Sequence, residues 1–212
     1  MKDSRQSIID ATERLLQSQG LARLTTREIA READVAEGLI YHHFGNKANL
    51  IFKVVERRML PTNNAVKSLP LQVGLRTVRK NLEDMLMVVY CNHYETAPIA
   101  SSMFADQHLR EQLREIMKEG TSGPQNDIKG LAAYLAAEQR LGRVANTVDP
   151  QITANCLWKI FVQTSMDDFL MGRKSDAIRA RKEIRRFLQI LMLGLKPRPL
   201  TEKTVFKKGE RS

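Results

Sequence analysis

A chain of 212 residues with 42% hydrophobic and 27% charged residues has the composition of an ordinary globular protein, with room for a small and a larger domain. No apolar run is long enough to cross a bilayer, and the polar N-terminus does not resemble a signal peptide. The two cysteines, Cys91 and Cys156, lie in apolar helical contexts that suit a reducing compartment. We therefore expect a cytoplasmic protein that has no disulfide and does not span a membrane.

The net charge of +10 is concentrated at the C-terminal end of the chain. Residues 1–60 carry a net charge of +2, whereas residues 173–212 carry +9. One interpretation is a solvated helix face followed by a disordered tail, since Pro197 and Pro199 prevent the last helix from continuing. The other is a second contact with nucleic acid or with an anionic membrane. The composition favours the first interpretation.

Residues 25–44 predict two short helices joined by a tight turn. Thr25 and Glu28 have the spacing of a capping box, in which each side chain bonds the backbone amide of the other residue. Asp34 stands between the two predicted helices, and aspartate adopts a left-handed or Asx-turn conformation at little cost. The segment therefore predicts a helix–turn–helix.

The second helix of this motif begins near Ala36 and has two distinct faces. Ile40 and Phe44 are one turn apart and are expected to be buried. At ~100° per residue, the side opposite this apolar pair carries Gly38, Leu39 and His42. A second helix that presents such groups outward is the plan of a protein that reads the major groove of DNA.

On these residues the chain resembles TetR-type transcriptional regulators. The resemblance covers residues 5–55, with Gly20 ending the first helix and Asn46 capping a fourth, connecting helix. It implies an all-α fold: an N-terminal three-helix helix-turn-helix DNA-binding head and a larger helical effector-binding and dimerisation domain. We expect the head to span residues 1–60 and the larger domain, here called the body, to span residues 61–196. Residues 197–212 are expected to form a basic, disordered tail.

By this resemblance the protein would be a dimeric, ligand-responsive repressor that a small, mostly hydrophobic effector releases from operator DNA. Gly38 would allow close approach to the duplex, while side chains around it contact phosphates or bases. The residues implied in DNA binding are Thr25, Thr26, Arg27, Ala36, Glu37, Gly38, Leu39, Tyr41, His42, Asn46 and Lys47. No metal or cofactor is implied.

Four positions depart from the usual family pattern. The family usually has glycine at Asp34, serine or threonine at Ala36, lysine at Glu37 and threonine at Leu39. Ala36 lacks a capping hydroxyl that would also approach a phosphate, and Glu37 replaces a cation with an anion. These departures leave the expected fold unchanged and bear on the strength and sequence of the operator contact.

The remainder of the chain predicts helices and no strands. A helix is expected from residue 74 to about residue 93, and Pro98 is expected in the first turn of a new helix that begins at Thr96. Adaptable or partly polar side chains could line an apolar effector cavity, although for each one taken singly an ordinary place in the core is the favoured interpretation: Met85, Met87, Tyr90, Cys91, Tyr94, Met103, Phe104, Trp158, Phe161 and Met166. Polar groups at the edge of such a pocket could be His93, Glu95, Asp106 and His108, and the alternative is that all four lie at the surface.

The last two predicted helices, residues 150–171 and 176–195, carry the expected dimer interface. The first is apolar on more than one side, so it must be buried on more than one side. In the resemblance this pair forms a four-helix bundle with its copy, and the interface would contain Phe169, Ile184, Phe187, Leu188, Leu191 and Leu195. The alternative is that these residues are simply buried within one chain.

Enzymatic activity is not expected, because the chain has no nucleophile-elbow, dinucleotide-binding or zinc-binding motif. The four histidines, His42, His43, His93 and His108, have no metal-ligand spacing. Two other classes stay open. One is a helical ligand- or partner-binding protein with weakened operator affinity, suggested by Ala36, Glu37 and Leu39. The other is a protein whose basic tail docks on anionic membranes.

Overall fold

The computed structural model describes residues 3–119 and 123–195. In these two ranges the chain forms ten α-helices and one short 3-10 helix, with no strand, so the expected all-α fold is confirmed. The head contains α1 (Ser4–Gln19), α2 (Thr26–Ala33), α3 (Glu37–Phe44) and α4 (Lys47–Arg58). The following helices are α5 (Leu60–Ser68), the 3-10 helix (Leu69–Gln72), α6 (Val78–Ala105), α7 (Gln107–Glu119), α8 (Pro124–Arg140), α9 (Pro150–Leu170) and α10 (Ala177–Leu195). The expected basic tail, residues 197–212, lies outside the described residues.

The head is held by a core that α1 to α4 build together. Apolar residues at helical spacing face inward from each helix: Ile8, Ile9, Leu16, Leu21, Leu24, Ile29, Ala30, Ile40, Phe44, Ala48, Leu50, Ile51 and Val54. The same core also contains four residues from the end of α6 and from α7: Ile99, Met103, Leu109 and Leu113. The head core therefore draws on side chains some 50 residues beyond the connecting helix α4.

A second core fills the body. It is built from α5, the first half of α6, α8, α9 and α10, with Leu86, Tyr134 and Trp158 among its buried members. Helix α6 contributes Leu82, Met85 and Val89 to this core near its N-terminus and Ile99 and Met103 to the head core near its C-terminus. One helix thus passes through both cores.

The expected break in this helix at residues 96–98 is wrong. Helix α6 is continuous over 28 residues and contains Pro98, and it begins after the N-cap Thr77 rather than at Gly74. A proline inside a helix removes one backbone hydrogen bond and costs about 3 kcal/mol. The helix persists because Ala97 and Ile99 on either side are buried while Pro98 itself is exposed. Tertiary packing thus outweighs the local preference of proline.

A buried carboxylate ties α9 to α6 and α10. Asp168 on α9 is 2% exposed and accepts hydrogen bonds from the hydroxyl of Tyr90, at 2.6 Å, and from Arg173 and Arg179, at 2.9 and 2.8 Å. Burial raises the pKa of Asp168, but the bonds from Tyr90 and the two arginines outweigh it and hold the pKa below its ordinary value of 3.8. The ionised carboxylate therefore stabilises the fold at neutral pH.

We expect Asp168→Asn to lower the free energy of unfolding by about 3 kcal/mol at pH 7, because it leaves two arginines facing a neutral group. The folded-state pKa is lowered, so this stabilisation is present above pH 3.8 and disappears as the pH falls through the folded pKa. Urea unfolding at several pH values measures the difference. The neighbouring exposed Asp167→Asn is the control, and equal losses in both variants would contradict the prediction.

Candidate functional site

The helix–turn–helix begins with the expected capping box at the start of α2. The Thr25 hydroxyl accepts a hydrogen bond from the Glu28 amide, and the Glu28 carboxylate accepts one from the Thr25 amide, both at 3.2 Å. The Thr25 hydroxyl also donates to the Glu28 carboxylate at 2.9 Å, and this bond lowers the pKa of Glu28. This prediction is confirmed, and it places the first turn of α2 at the head surface.

The turn between α2 and α3 is tight because Asp34 adopts the left-handed conformation, with φ 57° and ψ 52°. The Asp34 amide donates to the carbonyls of Ala30 and Arg31. The Val35 amide donates to the Ala30 carbonyl at 3.0 Å and closes the turn. Asp34 is the residue at which the family usually has glycine, and aspartate tolerates this backbone conformation better than most side chains. The departure from the family pattern therefore leaves the turn intact.

Helix α3 presents one side to the head core and the other to solvent. Ile40 and Phe44 are buried, while Gly38 and His42 are exposed, as expected. Leu39 differs from expectation: it is half-buried and packs against the head core. It lies at the border of the apolar stripe, about 100° from Ile40, so part of its side chain is withdrawn from the surface that would face bases.

Three side chains at the exposed edge of the motif are linked to one another. The Thr26 hydroxyl donates to the Glu37 carboxylate with an O–O distance of 2.5 Å. The Tyr41 hydroxyl lies 3.3 Å from the Thr26 oxygen. Arg27 and Tyr41 are exposed, and Ala36 is the N-cap of α3 without a side-chain hydrogen bond. Sequence reasoning placed Thr26, Glu37 and Tyr41 on one surface but missed the bonds between them.

The remaining two residues implied in DNA binding lie at the start of α4. Asn46 caps this helix as expected, accepting from the Asn49 amide at 2.8 Å. The Lys47 ammonium donates to the carbonyl of Leu24, just before α2. Lys47 therefore lies beside the first turn of α2, close to Thr25. Together with α2 and α3 these residues form one continuous outer surface of the head.

The candidate effector residues do not all come together. Met85, Met87, Tyr90, Trp158 and Phe161 lie in the body core, and Cys91 packs against it. Tyr94 contacts the rings of Tyr90 and Phe169, and the sulfur of Met166 accepts from Ser101 at 3.6 Å. The other two are elsewhere: Met103 belongs to the head core, and Phe104 is 62% exposed. Helix α6 leaves the body core after Tyr90 and reaches the head core before Met103, so Met103 lies apart from the candidates in the body.

The four candidate pocket-edge residues also differ in their surroundings. The imidazole of His93 meets Trp158 edge to face, with ring centroids 5.6 Å apart, and its Nδ1 lies 2.8 Å from the Val89 carbonyl. Glu95 and His108 are exposed, and Asp106 accepts from the Leu109 amide at the start of α7. His93 is therefore the one of the four that reaches the body core.

Polar groups of Asn92 on α6 connect the head to the body. The Asn92 amide donates to the carbonyl of Arg58, the last residue of α4, at 2.7 Å, and its oxygen accepts from Thr62 at 2.7 Å. A cleft of about 480 Å³ opens beside it, and its lining residues are Glu13, Gln17, Arg57, Arg58, Pro61, Asn92, Glu95 and Thr96. These hydrogen bonds join α6 to the end of the connecting helix.

The expected dimer residues divide between two sides of α9 and α10. Ile184 and Leu188 are buried in the body core of the same chain, so for these two the intrachain alternative applies. Phe187 and Leu191 pack partly against that core, Phe169 contacts Tyr94, and the side chain of Leu195 lies outside the described residues. A different set of apolar residues is exposed on these helices: Ile152, Ile160, Leu170, Ile178, Ile190 and Leu193. Which stripe of α10 faces inward depends on its neighbours in space.

Both cysteines, Cys91 and Cys156, have free thiols in this structure. Among residues 3–119 and 123–195, no group of three or more histidine, cysteine, aspartate or glutamate side chains could hold a metal ion. No helix within the same described ranges is long and apolar enough to cross a membrane.

The head matches a known protein family. Residues 8–54 match the family described as bacterial regulatory proteins, tetR family. The HTH-type transcriptional regulator TtgR of Pseudomonas putida is 46% identical over 50 residues, which are 24% of this chain and 24% of TtgR. HbdR of Aromatoleum sp. (strain CIB) is 42% identical over 52 residues, 24% of this chain and 23% of HbdR. The chain thus aligns with about a quarter of the length of these curated relatives.

Solved structures resemble the chain over nearly its whole length. A TetR-family structure from Mesorhizobium loti has a TM-score of 0.75 at 16% identity, covering 91% of this chain and 96% of that one. FadR of Bacillus subtilis in complex with stearoyl-CoA has a TM-score of 0.60 at 17% identity, covering 86% and 96%. The protein is therefore of the all-helical class that has an N-terminal helix–turn–helix. Over residues 8–54 the chain is similar to tetR-family regulatory proteins, and it shares the fold of the solved structures.

We expect the fluorescence of Trp158 to respond to protonation of His93. Burial lowers the pKa of His93 below 6.5, against a weaker opposing effect of the Val89 carbonyl. An imidazolium in edge contact with indole quenches its emission, so the emission should fall as the pH drops below 6.5. The unfolded chain takes up the proton first, so stability should also decrease with acidification in this range.

Fluorescence titration of His93→Gln, which should abolish the response, and of exposed His108→Gln, which should preserve it, provides the comparison. Because the chain has a single tryptophan, the emission reports on this site alone. A pH-independent emission in the unmodified protein would contradict the assigned contact.

Proposed function

We propose that the protein is a dimeric, ligand-responsive DNA-binding transcriptional regulator that represses genes until a small, mostly hydrophobic effector releases it from its operator. The observation that carries this proposal is the helix–turn–helix itself: a capped α2, a left-handed turn at Asp34 and an α3 whose outer side is exposed. An exposed second helix of this size fits the major groove, and a two-fold dimer fits two half-sites.

The connection between the two cores supports a release mechanism. Effector binding in the body would favour one position of α6, and α6 contacts α4 both through Asn92 and through the head core. A ligand shifts such an equilibrium by as much as it distinguishes between the two arrangements. A change in α4 would alter the spacing of the two heads, and a dimer with misplaced heads no longer fits two half-sites.

The chemistry of the body interior supports an apolar effector. Met85, Met87, Phe161 and Trp158 belong to the same body core and offer adaptable apolar surface, and the imidazole of His93 contacts the Trp158 ring. The structural relative FadR of Bacillus subtilis was solved with stearoyl-CoA. An acyl chain or an aromatic compound is therefore the effector class that we propose.

The exposed sides of α9 and α10 support the dimer. Their exposed isoleucines and leucines would remain in contact with water in a single chain, and exposed apolar surface on adjacent elements marks an interaction site. A four-helix bundle with the same two helices of a second copy would cover them.

A second candidate function is a helical ligand-binding protein whose head has weakened operator affinity. It is favoured by the absence of a side-chain cap at Ala36 and by the bond between Thr26 and Glu37. Binding measurements on duplex DNA separate this candidate from a repressor.

We expect selection from a pool of randomised duplexes to yield a palindromic site. Arg27→Ala should weaken binding to this site and to unrelated duplexes by a similar factor of about ten, because a phosphate contact carries no sequence information. The slope of log K against log salt should fall by about one per lost contact. Arg140→Ala, an exposed arginine of the body, is the matched control. Selection of no sequence at all would favour the second candidate.

We expect Ile190→Glu to dissociate the dimer. Ile190 is 72% exposed in the single chain, so the substitution costs the monomer little, whereas burial of an unpaired carboxylate in an interface is strongly unfavourable. Sedimentation velocity should show monomers, and operator affinity should fall sharply while helix content is unchanged. Leu71→Glu, an equally exposed leucine on the 3-10 helix, should remain dimeric. A dimeric Ile190→Glu protein would refute this interface.

We expect an effector that releases the protein from its selected duplex to change the emission of Trp158 over the same concentration range. Long-chain fatty acids, acyl-CoA thioesters and naphthalene-type aromatics are the probes. Trp158→Phe should stay folded and require more ligand for release, because a smaller ring leaves part of the contact unfilled. Release of DNA by a probe without any change in emission would place the effector elsewhere.

A further inference from the structure

Two hydroxyl protons at the DNA-facing edge of the head are already used within the protein. A threonine hydroxyl has one proton to donate, and that of Thr26 is donated to Glu37 at 2.5 Å. The Thr26 oxygen is then left as an acceptor, so the hydroxyl of Tyr41, 3.3 Å away, is the donor between these two groups. The chain of bonds runs from Tyr41 through Thr26 to the carboxylate of Glu37.

This arrangement opposes contact with a phosphate. Phosphate oxygens accept hydrogen bonds, so a threonine or tyrosine contributes to backbone binding by donating its proton to them. A carboxylate is also an acceptor, and a bond to an ionised acceptor is about twice as strong as a neutral one. While Glu37 holds the proton of Thr26, neither Thr26 nor Tyr41 can donate to DNA.

We propose that Glu37 is an internal competitor for phosphate, and that it sets the overall DNA affinity of the head by holding the hydroxyl protons of Thr26 and Tyr41. The inference rests on the proposed DNA-binding function. Glu37 acts through Thr26 on the backbone contact and lowers affinity for all sequences alike. It lies at the first position of α3, where its charge also favours the positive end of the helix, so the same residue stabilises the free head.

Two other roles of Glu37 lead to different consequences. If its charge only repels phosphates, the hydroxyl of Thr26 contributes equally to binding whether Glu37 is present or not. If its carboxylate reads a cytosine in the major groove, its removal weakens binding and relaxes the choice of base at one position. Competition alone makes the contribution of Thr26 depend on the presence of Glu37.

The experiment is a double-mutant cycle of Glu37→Ala and Thr26→Val, with DNA affinity and thermal stability measured for each protein. The probes are the duplex selected by the unmodified protein from a randomised pool and a duplex of unrelated sequence, both at low salt. Valine has the shape of threonine without the hydroxyl. Glu32→Ala, which removes a carboxylate of α2 that pairs with Arg14, controls for the change in head charge.

Glu37→Ala is expected to tighten binding to both duplexes about tenfold and Glu32→Ala about twofold or less. Thr26→Val is expected to change affinity less than about twofold when Glu37 is present and to weaken it about tenfold in the Glu37→Ala background. In the free protein, the two substitutions should lower the melting temperature by less together than the sum of their separate effects, because they remove the same bond.

If Thr26→Val changes DNA affinity equally in the unmodified protein and in Glu37→Ala, the competition is overturned, and repulsion between Glu37 and the phosphates explains the gain in affinity. Weaker binding of Glu37→Ala with a changed base preference would overturn it in favour of base readout. Equal gains from Glu37→Ala and Glu32→Ala would assign the effect to net charge and would also overturn it. Failure of every variant to bind either duplex would overturn the DNA-binding function itself, and the inference with it.

Discussion

The packing of α6 into two hydrophobic cores is the constraint on which the rest of the structure depends. At 1.5 Å per residue this 28-residue helix is about 42 Å long, enough to reach from the far end of the body to the head. Its first half is buried by α8, α9 and α10, and its last turns belong to the core of the helix–turn–helix. A rigid element shared by two cores cannot move in one without disturbing the other.

Electrostatic pairing then sets how the body helices are arranged around α6. Asp168 joins α9 to Tyr90 on α6 and to Arg179 on α10, and the carboxylate of Glu83 on α6 accepts from Arg181 and Arg185 of α10 at 2.9 and 3.0 Å. Part of the positive charge of residues 173–212 is therefore paired within the fold. These arginines act within the fold, a role that the interpretation as a solvated helix face did not anticipate.

Under the proposed function, the same kinds of group at the head would serve both folding and DNA recognition, and the two uses would compete. The capping box at Thr25 and the left-handed turn at Asp34 stabilise the motif without consuming groups on the outer side of α3. The bond from Thr26 to Glu37 does consume such a group. A surface whose polar groups bond one another has fewer free hydrogen-bond donors for a partner. A head can therefore be well folded and still bind DNA weakly.

Much of this protein was determined by local sequence alone. The capping box, the turn at Asp34, the cap at Asn46 and the stripe of Ile40 and Phe44 depend on residues within one or two turns of each other, so spacing predicted them correctly. Tertiary structure decided what depends on distant neighbours. Helix α6 continues past Pro98 because of its packing, and its residue Met103 lies in the head core. Packing also buries Ile184 and Leu188 within the chain, and the turn brings Thr26 within hydrogen-bond distance of Glu37. These outcomes depend on which surfaces meet in space, and the periodicity of one helix does not contain that information.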